Sequence, residues 1–443
     1  MTIVACSTPP GTSGIAVVRV SGKGALKNVS NFIKNFPFNK KTLGSKICFL
    51  VDKDGLIFDE AVVTTYLGPN SYTGENLVEI SCHGNPNIVS KIVDLSIESG
   101  ASLAEPGEFT KRAFLNGKLD LSEAESVSAI IHSKSIAGAK AGVKNLKGGL
   151  SKKISFIKSN LVSVVANLEF NLDISEEDLQ PNLINKSKGA VSKATKELEG
   201  CVDAFNETKM FQFGASVIIL GPPNAGKSTL FNLLVNKNQS IVTEIEGTTR
   251  DVVEKNINID GLPILLKDTA GIRESKNEIE KKGIKLALNR AEEADLKLIV
   301  LEAKNVDFKG VLKDLMDDDA ILVINKSDLL GPNQVLNLKE FEHVLVSIKE
   351  NKNLKNLILK IKSKLKNKFI SSGDILITRE RHRQNLKECL VHLKNFNKKN
   401  SEGDFDKAAE DIRLATRNLG KIVGEVDVEE ILGSIFNDFC IGK

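Results

Sequence analysis

The chain has 443 residues, of which 41% are hydrophobic and 27% are charged, and its formal net charge at pH 7 is +4. This length allows two to four domains, and the composition is typical of a globular protein with buried cores. No apolar run reaches the roughly 18 residues that a membrane helix needs, and the N-terminus lacks a secretory pattern, so we expect a cytoplasmic protein. Six scattered cysteines and five isolated histidines argue against a disulfide framework or a zinc site. The small positive charge permits an RNA partner without predicting one.

Residues 1–118 alternate short strands with turns and some helix, which predicts a mixed α+β domain. Strand patterns cover residues 15–20, 61–66 and 77–80. Arg19 and Glu79 lie in these strands, and Lys118 lies in a turn ahead of the next helix. Every second side chain of a half-buried strand faces solvent, so each of these residues, taken alone, is best interpreted as exposed surface.

A helical pattern begins at Leu121 and continues to Phe170, and a second helix is predicted over residues 188–205. Helical sequence resumes at Arg379, after a segment with nucleotide-binding motifs. Helical sequence on both sides of that segment suggests that it is inserted into one helical domain. We therefore predict four consecutive segments, with bounds at residues 1–118, 119–213, 214–368 and 369–443.

Residues 221–228 read Gly-Pro-Pro-Asn-Ala-Gly-Lys-Ser, after the apolar run 216–220 and before a predicted helix over residues 229–235. Strand, glycine loop and helix in this order form the context of a phosphate-binding P-loop. Gly221 and Gly226 let backbone N–H groups point at phosphate oxygens, and the helix adds its positive end. Lys227 would contact the β- and γ-phosphates, and the Ser228 hydroxyl would bind Mg²⁺.

Three further segments follow in the order typical of a GTPase: Glu246-Gly-Thr-Thr-Arg-Asp251, Asp268-Thr-Ala-Gly271 and Asn325-Lys-Ser-Asp328. Asp268 ends an apolar strand, where its carboxylate suits the Mg²⁺ shell, and the Gly271 N–H suits a γ-phosphate. The Asp328 carboxylate can accept hydrogen bonds from N1–H and the 2-amino group of guanine, a donor pair that adenine lacks. The sequence therefore predicts a regulatory-type GTPase domain that binds GTP.

The group that orients the attacking water is not evident from the motifs. Many small GTPases place a glutamine directly after the glycine that is Gly271 here, but this chain has Ile272. Three carboxylates follow on a polar stretch, and any of them could be solvated surface: Glu274, Glu278 and Glu280.

An arginine finger is not evident either. The Asn224 amide oxygen, with backbone carbonyls near Thr243 and Ile245, suggests a monovalent cation held against the phosphates instead. Spacing alone leaves this cation site as one alternative.

Two features lie nearer the end of the chain. Apolar residues recur at helical spacing through the lysine-rich residues 352–368, so the lysines are interpreted as the solvated face of the last GTPase helix. The chain ends with Phe439-Cys-Ile-Gly-Lys443. This segment is either a frayed tail with an incidental thiol at Cys440 or a tail that enters a cleft, where the thiol and Lys443 act.

Distinctive motifs are spread along the whole chain: Thr8-Pro-Pro-Gly11, Tyr72-Thr-Gly-Glu75, Cys82-His-Gly84, Gly107-Glu-Phe109, Arg112-Ala-Phe-Leu-Asn116, Gly247-Thr-Thr-Arg-Asp251 and the final Phe-Cys-Ile-Gly-Lys. In these motifs the chain resembles the MnmE (TrmE) family of bacterial tRNA-modification GTPases. The resemblance implies a multidomain α/β and α protein that forms a homodimer. Its parts would be an α+β folate-binding and dimerisation domain, a split helical domain and an inserted Ras-like P-loop GTPase domain.

The resemblance also implies ligand-binding residues. The folate, 5,10-methylene- or 5-formyl-tetrahydrofolate, would be bound by Arg19, Glu79, Lys118 and Lys443. K⁺ would be bound by Asn224, Thr243, Ile245 and Thr248, and Mg²⁺ by Ser228 and Thr249. The remaining nucleotide contacts would be Ala225, Gly226, Lys227, Thr229, Glu244, Glu246, Gly247, Asp268, Thr269, Ala270, Gly271, Asn325, Lys326 and Asp328. Among the three candidate acids, the resemblance selects Glu280 as the residue that positions water.

In the family the loop that binds K⁺ is completed when two GTPase domains meet. GTP hydrolysis then drives a domain movement. With a flavin-containing partner, MnmG, in a heterotetramer, such proteins build an aminomethyl-type group on C5 of the wobble uridine of certain tRNAs, and the carbon comes from folate. Cys440 matches the tail cysteine of the family. One departure is Ser347-Ile348, where the family usually has Ser-Ala, which places a β-branched side chain in the guanine loop.

Two other functions remain as alternatives at this stage. A GTP-dependent assembly factor that binds ribosomal RNA or protein would share the GTPase motifs but not the N-terminal set or the tail. A membrane-remodelling GTPase is disfavoured because the sequence has no amphipathic anchor.

Overall fold

The computed structural model describes residues 1–37, 44–172, 183–203, 205, 210, 214–238, 253–268, 291, 294–304, 311–330, 341–369, 377, 379–399, 405–426, 429–437 and 439–442. The chain divides into two compact units. The first unit comprises Met1–Ser128, Lys144–Leu198 and Glu380–Lys443, and the second comprises Ala129–Val143 and Glu199–Arg379. Each unit is described by itself below.

The first unit contains a six-stranded sheet with the order β3-β4-β5-β2-β1-β6. Its strands are β1 (Thr2–Cys6), β2 (Ser13–Ser21), β3 (Gly44–Val51), β4 (Ile57–Tyr66), β5 (Leu77–Gly84) and β6 (Ala101–Leu103). Inward side chains of alternate strand positions form a core with helices α1 (Ala25–Ser30) and α2 (Pro86–Glu98). The prediction of a mixed α+β domain is confirmed, and each of the three predicted strands lies within a longer one.

The first unit also contains, in whole or in large part, helices from both sides of the nucleotide-binding segment. They are α3 (Glu108–Leu115), α4 (Leu121–His132), the end of α5 (Ile136–Leu146), α6 (Gly149–Leu172), α7 (Leu183–Asp203), α11 (Glu380–Asn397), α12 (Phe405–Val423) and α13 (Glu429–Asn437). Helix α6 packs against α12, and α12 packs against α11. The helical pattern predicted from Leu121 to Phe170 is confirmed as three helices. The second predicted helix begins at Leu183, five residues before the predicted start.

A buried ion cluster joins α4 to α11. The Glu125 carboxylate accepts hydrogen bonds from Arg381 Nε at 3.0 Å and Nη2 at 2.8 Å, and lies 2.6 Å from His382 Nε2. Arg381 also donates to the carbonyl oxygens of Lys421 and Ile422 in α12. Burial alone would raise the pKa of Glu125, but the charges and hydrogen bonds of His382 and Arg381 lower this pKa to about 2.

We expect a Glu125→Ala variant to lose about 3–5 kcal/mol of stability, because Arg381 would remain buried without its carboxylate. Urea unfolding followed by circular dichroism measures the loss. The folded-state pKa lies below the ordinary value of 4.5, so the contribution is complete above pH 4.5 and disappears as the pH falls towards 2. The exposed Glu388 of α11 provides a control, and a Glu388→Ala variant that loses as much stability would contradict the assignment.

The second unit contains another six-stranded sheet, with the order β12-β11-β10-β7-β9-β8. Its strands are β7 (Ala215–Leu220), β8 (Val253–Ile259), β9 (Leu262–Asp268), β10 (Leu296–Glu302), β11 (Ala320–Asn325) and β12 (His343–Leu345), and only the β8–β9 pair is antiparallel. Helices α8 (Lys227–Asn238), α9 (Val311–Asp314) and α10 (Leu354–Phe369) belong to the same unit. The central strands are buried on both faces, as parallel strands usually are.

Helix α10 confirms the interpretation of the lysine-rich segment. Its residues Leu354, Leu357, Ile361 and Leu365 are at most 3% exposed and pack into the core. Lys355 and Lys366 point away from that core and are exposed. The lysines therefore form the solvated face of an amphipathic helix.

Candidate functional site

The glycine loop of the second unit lies where the sheet changes direction. The chain passes from β7 to β9 on one side and then to β10 on the other, so the loop after β7 lies at a topological switch point, where α/β proteins bind ligands. Gly221 has φ +145°, and a Cβ there would lie 2.1 Å from the Val300 carbonyl oxygen. Gly226 has φ +99°, and a Cβ there would lie 2.2 Å from Asn325 Nδ2. Both positions therefore require glycine.

The loop runs directly into α8, which begins at Lys227, two residues before the predicted start. Lys227 Nζ donates to the carbonyl oxygens of Gly221 and Pro222, both at 2.9 Å, which holds the ammonium group over the loop. Ser228 and Thr229 occupy the first turn, where backbone N–H groups have no partner within the helix. An ammonium group beside a helix N-terminus is suited to binding phosphate.

Asn224 has a left-handed backbone conformation, with φ +62°. Asparagine tolerates this conformation better than most residues. Asp268 is the last residue of β9, pairs in register with Ile219 of β7 and is 4% exposed. The predicted strand-end position of Asp268 is therefore confirmed, and its part in a Mg²⁺ shell stays a prediction.

Asn325, the last residue of β11, joins the glycine loop to a second loop. Its side-chain Nδ2 donates to the Ala225 carbonyl oxygen at 2.9 Å, and its Oδ1 accepts from the Ile348 backbone N–H at 3.2 Å. The residue is 4% exposed. The side chain thus connects the glycine loop to the loop after β12.

Asp328 is positioned by a residue to which sequence reasoning gave no role. Ser347 Oγ donates to Asp328 Oδ1 at 2.5 Å and itself accepts the Glu350 backbone N–H at 3.2 Å. The hydrogen bond from Ser347 lowers the pKa of Asp328, so the carboxylate stays charged. The sequence signal was the place of Ser347 in the guanine loop, two residues after the short strand β12. The neighbouring Ile348 packs into the core and is 6% exposed.

Lys326 also has a left-handed backbone, with φ +59°, and its ammonium lies 2.9 Å from Glu302 Oε2. Several predicted site residues lie outside the described residues: 243–249, 269–271, 280 and 443. The same holds for Ile272, Glu274 and Glu278. Their predicted roles remain predictions.

A second polar cluster lies on the face of the N-terminal sheet opposite helices α1 and α2. Arg19 on β2 and Glu79 on β5 are directly opposite in register, and Arg19 Nε donates to Glu79 Oε1 at 2.8 Å. Their side chains are 18% and 22% exposed. The two tyrosines of the chain complete the cluster: the Tyr66 hydroxyl donates to Glu79 at 3.4 Å, and the Arg19 guanidinium lies 5.8 Å from the Tyr72 ring centre. Arg19 and Glu79 are thus paired and largely buried.

Lys118 lies against the loop that carries Tyr72. Its Nζ donates to the Pro69 carbonyl oxygen at 3.0 Å. The same loop is held by motif residues: Ser21 Oγ contacts Thr73 Oγ1 at 2.8 Å, and Arg112 Nη1 donates to Glu75 at 3.0 Å. The Tyr-Thr-Gly-Glu motif and the arginine of α3 therefore shape the loop between Arg19 and Lys118.

The last described residues are docked on this sheet. Ser7 Oγ donates to the Gly442 carbonyl oxygen at 2.9 Å, and Arg19 Nη1 donates to the same oxygen at 3.5 Å. Gly442 has φ +88°, and a Cβ there would lie 2.4 Å from the Cys6 carbonyl oxygen. For residues 439–442, the interpretation of a frayed tail is therefore wrong.

Upstream, the tail is anchored at the motif glycine Gly107. Its N–H donates to the Cys440 carbonyl oxygen at 3.4 Å, and a Cβ there would lie 2.8 Å from the Phe436 carbonyl oxygen. Phe436 and Phe439 are buried, whereas the thiol residue Cys440 is exposed. The tail thus places Cys440 at the surface, where its backbone carbonyl contacts Gly107.

The described residues contain no group of three or more His, Cys, Asp or Glu side chains arranged to hold a metal ion. Nor do they include a helix with the length and apolar character needed to cross a membrane.

Comparisons with known proteins match the whole chain. The family model described as the MnmE helical domain matches residues 121–440, and that of the GTP-binding protein TrmE N-terminus matches residues 2–118. The tRNA modification GTPase MnmE of Pelagibacter ubique (strain HTCC1062) is 50% identical over 444 residues, which covers 100% of both chains. Its namesake in Aquifex aeolicus (strain VF5) is 39% identical over 452 residues, with 100% of this chain and 99% of the relative covered. The Rickettsia bellii (strain RML369-C) protein of the same name is 38% identical over 454 residues, with 100% of both covered.

Proposed function

The chain belongs to the MnmE family of tRNA modification GTPases, and from this membership we propose how its residues hydrolyse GTP and modify tRNA. The observation that carries the proposal is the Asn325 side chain, which joins the glycine loop to the guanine-type loop. Recognition of a guanine nucleotide requires a phosphate site and a carboxylate, here Asp328, held in fixed positions relative to each other. Because the substrate is tRNA, we expect the protein in the cytoplasm.

We propose positions for the two ends of the nucleotide among the described residues. Lys227 and the first N–H groups of α8 bind the β- and γ-phosphates, with Ala225, Gly226 and Thr229 around them. Asp328 reads the guanine edge, while Asn325 and Lys326 hold the loop from which it projects. Mg²⁺ fits this site, since the Ser228 hydroxyl and the Asp268 carboxylate are the hard oxygen ligands that it prefers. The ion neutralises phosphate charge when bound.

We propose that K⁺ takes the role of an arginine finger. The amide oxygen of Asn224 is a suitable ligand, and the left-handed backbone sets this residue inside the loop. The other proposed K⁺ ligands, Thr243, Ile245 and Thr248, lie outside the described residues, as does the further proposed Mg²⁺ ligand Thr249. A bound alkali cation supplies positive charge against the phosphates, where charge develops during hydrolysis.

We expect GTP hydrolysis to be at least about tenfold faster in KCl than in NaCl at equal ionic strength, because the cation stabilises developing charge. Steady-state phosphate release measures both rates. An Asn224→Ala variant should lose the preference while still binding GTP. Equal wild-type rates in the two salts would exclude the cation site.

For the folate, we propose the cluster on the N-terminal sheet. The Glu79 carboxylate can accept the paired donors of a pterin ring, and Lys118 and Lys443 can pair with the glutamate carboxylates. Arg19 is already bound to Glu79 and to Gly442, so its main part is to hold these two groups together. Calorimetry with 5-formyl-tetrahydrofolate tests this site, and unchanged affinity in Glu79→Ala would contradict it. We also propose a nucleophilic role for the exposed thiol of Cys440 in the tail.

We propose a homodimer formed through the N-terminal sheet. Ile47 and Phe49 on the edge strand β3 and Val62 on β4 are 72%, 45% and 43% exposed and lie on the same outward face. An exposed apolar strip on an edge strand is suited to burial by a second copy. Sedimentation velocity of the wild type and of a double Ile47→Asp, Phe49→Asp variant tests the assignment. A dimeric variant would contradict it.

The domain bounds that go with this function are 1–118, 119–213, 214–368 and 369–443.

With the flavin-containing partner MnmG, in a heterotetramer, the protein installs an aminomethyl-type group at C5 of the wobble uridine. The decisive experiment is nucleoside analysis of tRNA from a deletion strain. Loss of the modified uridine, restored by the wild-type gene, supports the function. Normal uridines together with altered ribosome profiles would instead indicate an assembly factor.

A further inference from the structure

A groove of about 380 Å³ runs between helices α6 and α7 of the first unit. Both helices line it at spacings of three and four residues, so one face of each contributes. The floor contains apolar side chains such as Ile157 and Val164. The rim is polar and carries Asn160, Ser163, Asn167, Lys186 and Lys193.

The charge of these two helices is uneven. Together they contain seven lysines, at 152, 153, 158, 186, 188, 193 and 196, and four acidic residues, at 169, 197, 199 and 203. All acidic residues lie in the C-terminal parts of the two helices, after residue 168 in α6 and after residue 196 in α7. Lys186 and Lys193 are exposed, and neither forms an ion pair with a residue in the described part of the chain. Their charges are therefore available to a ligand.

An aromatic side chain stands at this groove. Phe156 lines it and is 59% exposed, although burial of a phenylalanine in a helix bundle is strongly favoured. Lysines and amides along a groove bind a phosphodiester backbone, and an exposed aromatic ring provides a platform for an unstacked base. Glu197 is the one acidic side chain among the described lining residues.

We propose that this groove binds the tRNA substrate, with Lys186 and Lys193 on backbone phosphates, Asn160 and Asn167 on phosphate or sugar oxygens, and Phe156 against a base. The inference rests on the proposed function, which supplies tRNA as the substrate. RNA is favoured over a protein partner because two of the three charged side chains that line the groove are lysines and the rim is built from hydrogen-bonding side chains. An acidic protein helix would match the lysines but leave the exposed ring and the amides without specific partners.

The test measures binding of total tRNA to the full-length protein by filter binding, from 50 to 200 mM salt. A Lys186→Ala, Lys193→Ala double variant should bind roughly tenfold more weakly at the lower salt. The slope of log affinity against log salt should fall by about 1.5, since two phosphate contacts are removed. Phe156→Ala should weaken binding severalfold without changing the slope, because stacking releases no counterions.

The matched control is Lys91→Ala with Lys387→Ala, two exposed lysines of α2 and α11 that carry the same charge change. It should bind tRNA within about twofold of the wild type. A loss of affinity as large as that of the groove variant would mean that net charge alone explains the effect. All variants should keep the basal GTPase rate. Wild-type affinity in the Lys186, Lys193 variant would overturn the proposal. So would a variant that binds tRNA normally but no longer binds the flavoprotein, which would make the groove a protein-docking site.

The experiments distinguish an error in the groove assignment from an error in the proposed function. If the groove variant binds tRNA normally while the deletion strain lacks the modified uridine, only the groove assignment is overturned. A wild-type protein that retains no tRNA on the filter also overturns the groove, and nucleoside analysis then decides the function independently.

Discussion

An Asp328→Asn variant will lose GTP affinity by roughly a thousandfold and gain affinity for xanthosine triphosphate. The carboxylate accepts two hydrogen bonds from guanine, whereas an amide would turn one N–H donor towards another and leave both unpaired. Xanthine has a carbonyl in place of the 2-amino group, so the amide matches it. Titration of both nucleotides by calorimetry measures the switch, and unchanged GTP affinity would show that Asp328 does not read the base.

Ser347→Ala provides the control for this switch. It removes the 2.5 Å hydrogen bond to Asp328 but leaves the carboxylate, so GTP affinity should fall by about tenfold with no gain for the xanthine nucleotide. The same hydrogen bond is the main cause of the lowered pKa of Asp328. In the variant, affinity should therefore decline at a higher pH than in the wild type as the solution is acidified. Coincident pH profiles would contradict the positioning role.

A Glu280→Ala variant will bind GTP normally and lose most of its turnover, by roughly a hundredfold to a thousandfold. The position after Gly271 is Ile272, which cannot hold a water, and a carboxylate that orients the nucleophile contributes a factor of this size. Single-turnover hydrolysis, with GTP affinity measured separately, separates the two effects. Turnover at the wild-type rate would remove Glu280 from the mechanism.

Glu274→Ala and Glu278→Ala are the matched controls, because both acids lie in the same polar stretch. Each should keep turnover within about threefold of the wild type, as expected for solvated surface carboxylates. A severe loss in either one, with Glu280→Ala unaffected, would transfer the role to that residue.

The nucleotide site was predictable from the sequence because its parts are local. A P-loop needs a strand, a glycine turn and a helix within about twenty residues, and Gly221, Gly226 and Lys227 satisfy that pattern directly. The strand-end positions of Asp268 and Asn325 follow from the same rule, since parallel strands deliver their carboxyl ends to one edge.

Contacts between residues far apart in the chain could not be predicted from the sequence. Nothing local indicates that Asn325 bonds the backbone at Ala225, that Ser347 holds Asp328, or that Arg381 and Glu125 share a buried cluster. On the N-terminal sheet, alternation favoured solvent exposure for Arg19 and Glu79. The register instead pairs them, and two tyrosines and the tail cover them. A strand pattern gives the face of a side chain but not what covers that face.

The hydrogen bond from Ser7 to Gly442 spans 435 residues and has a consequence for biosynthesis. A ribosome adding about 5–20 residues per second needs on the order of 20–90 s to make the intervening chain. During that interval the nascent sheet displays Arg19, Glu79 and the Cys6 backbone without the segment that later covers them. The folate site proposed above would be incomplete during this period, so we expect ligand retention to mark finished synthesis.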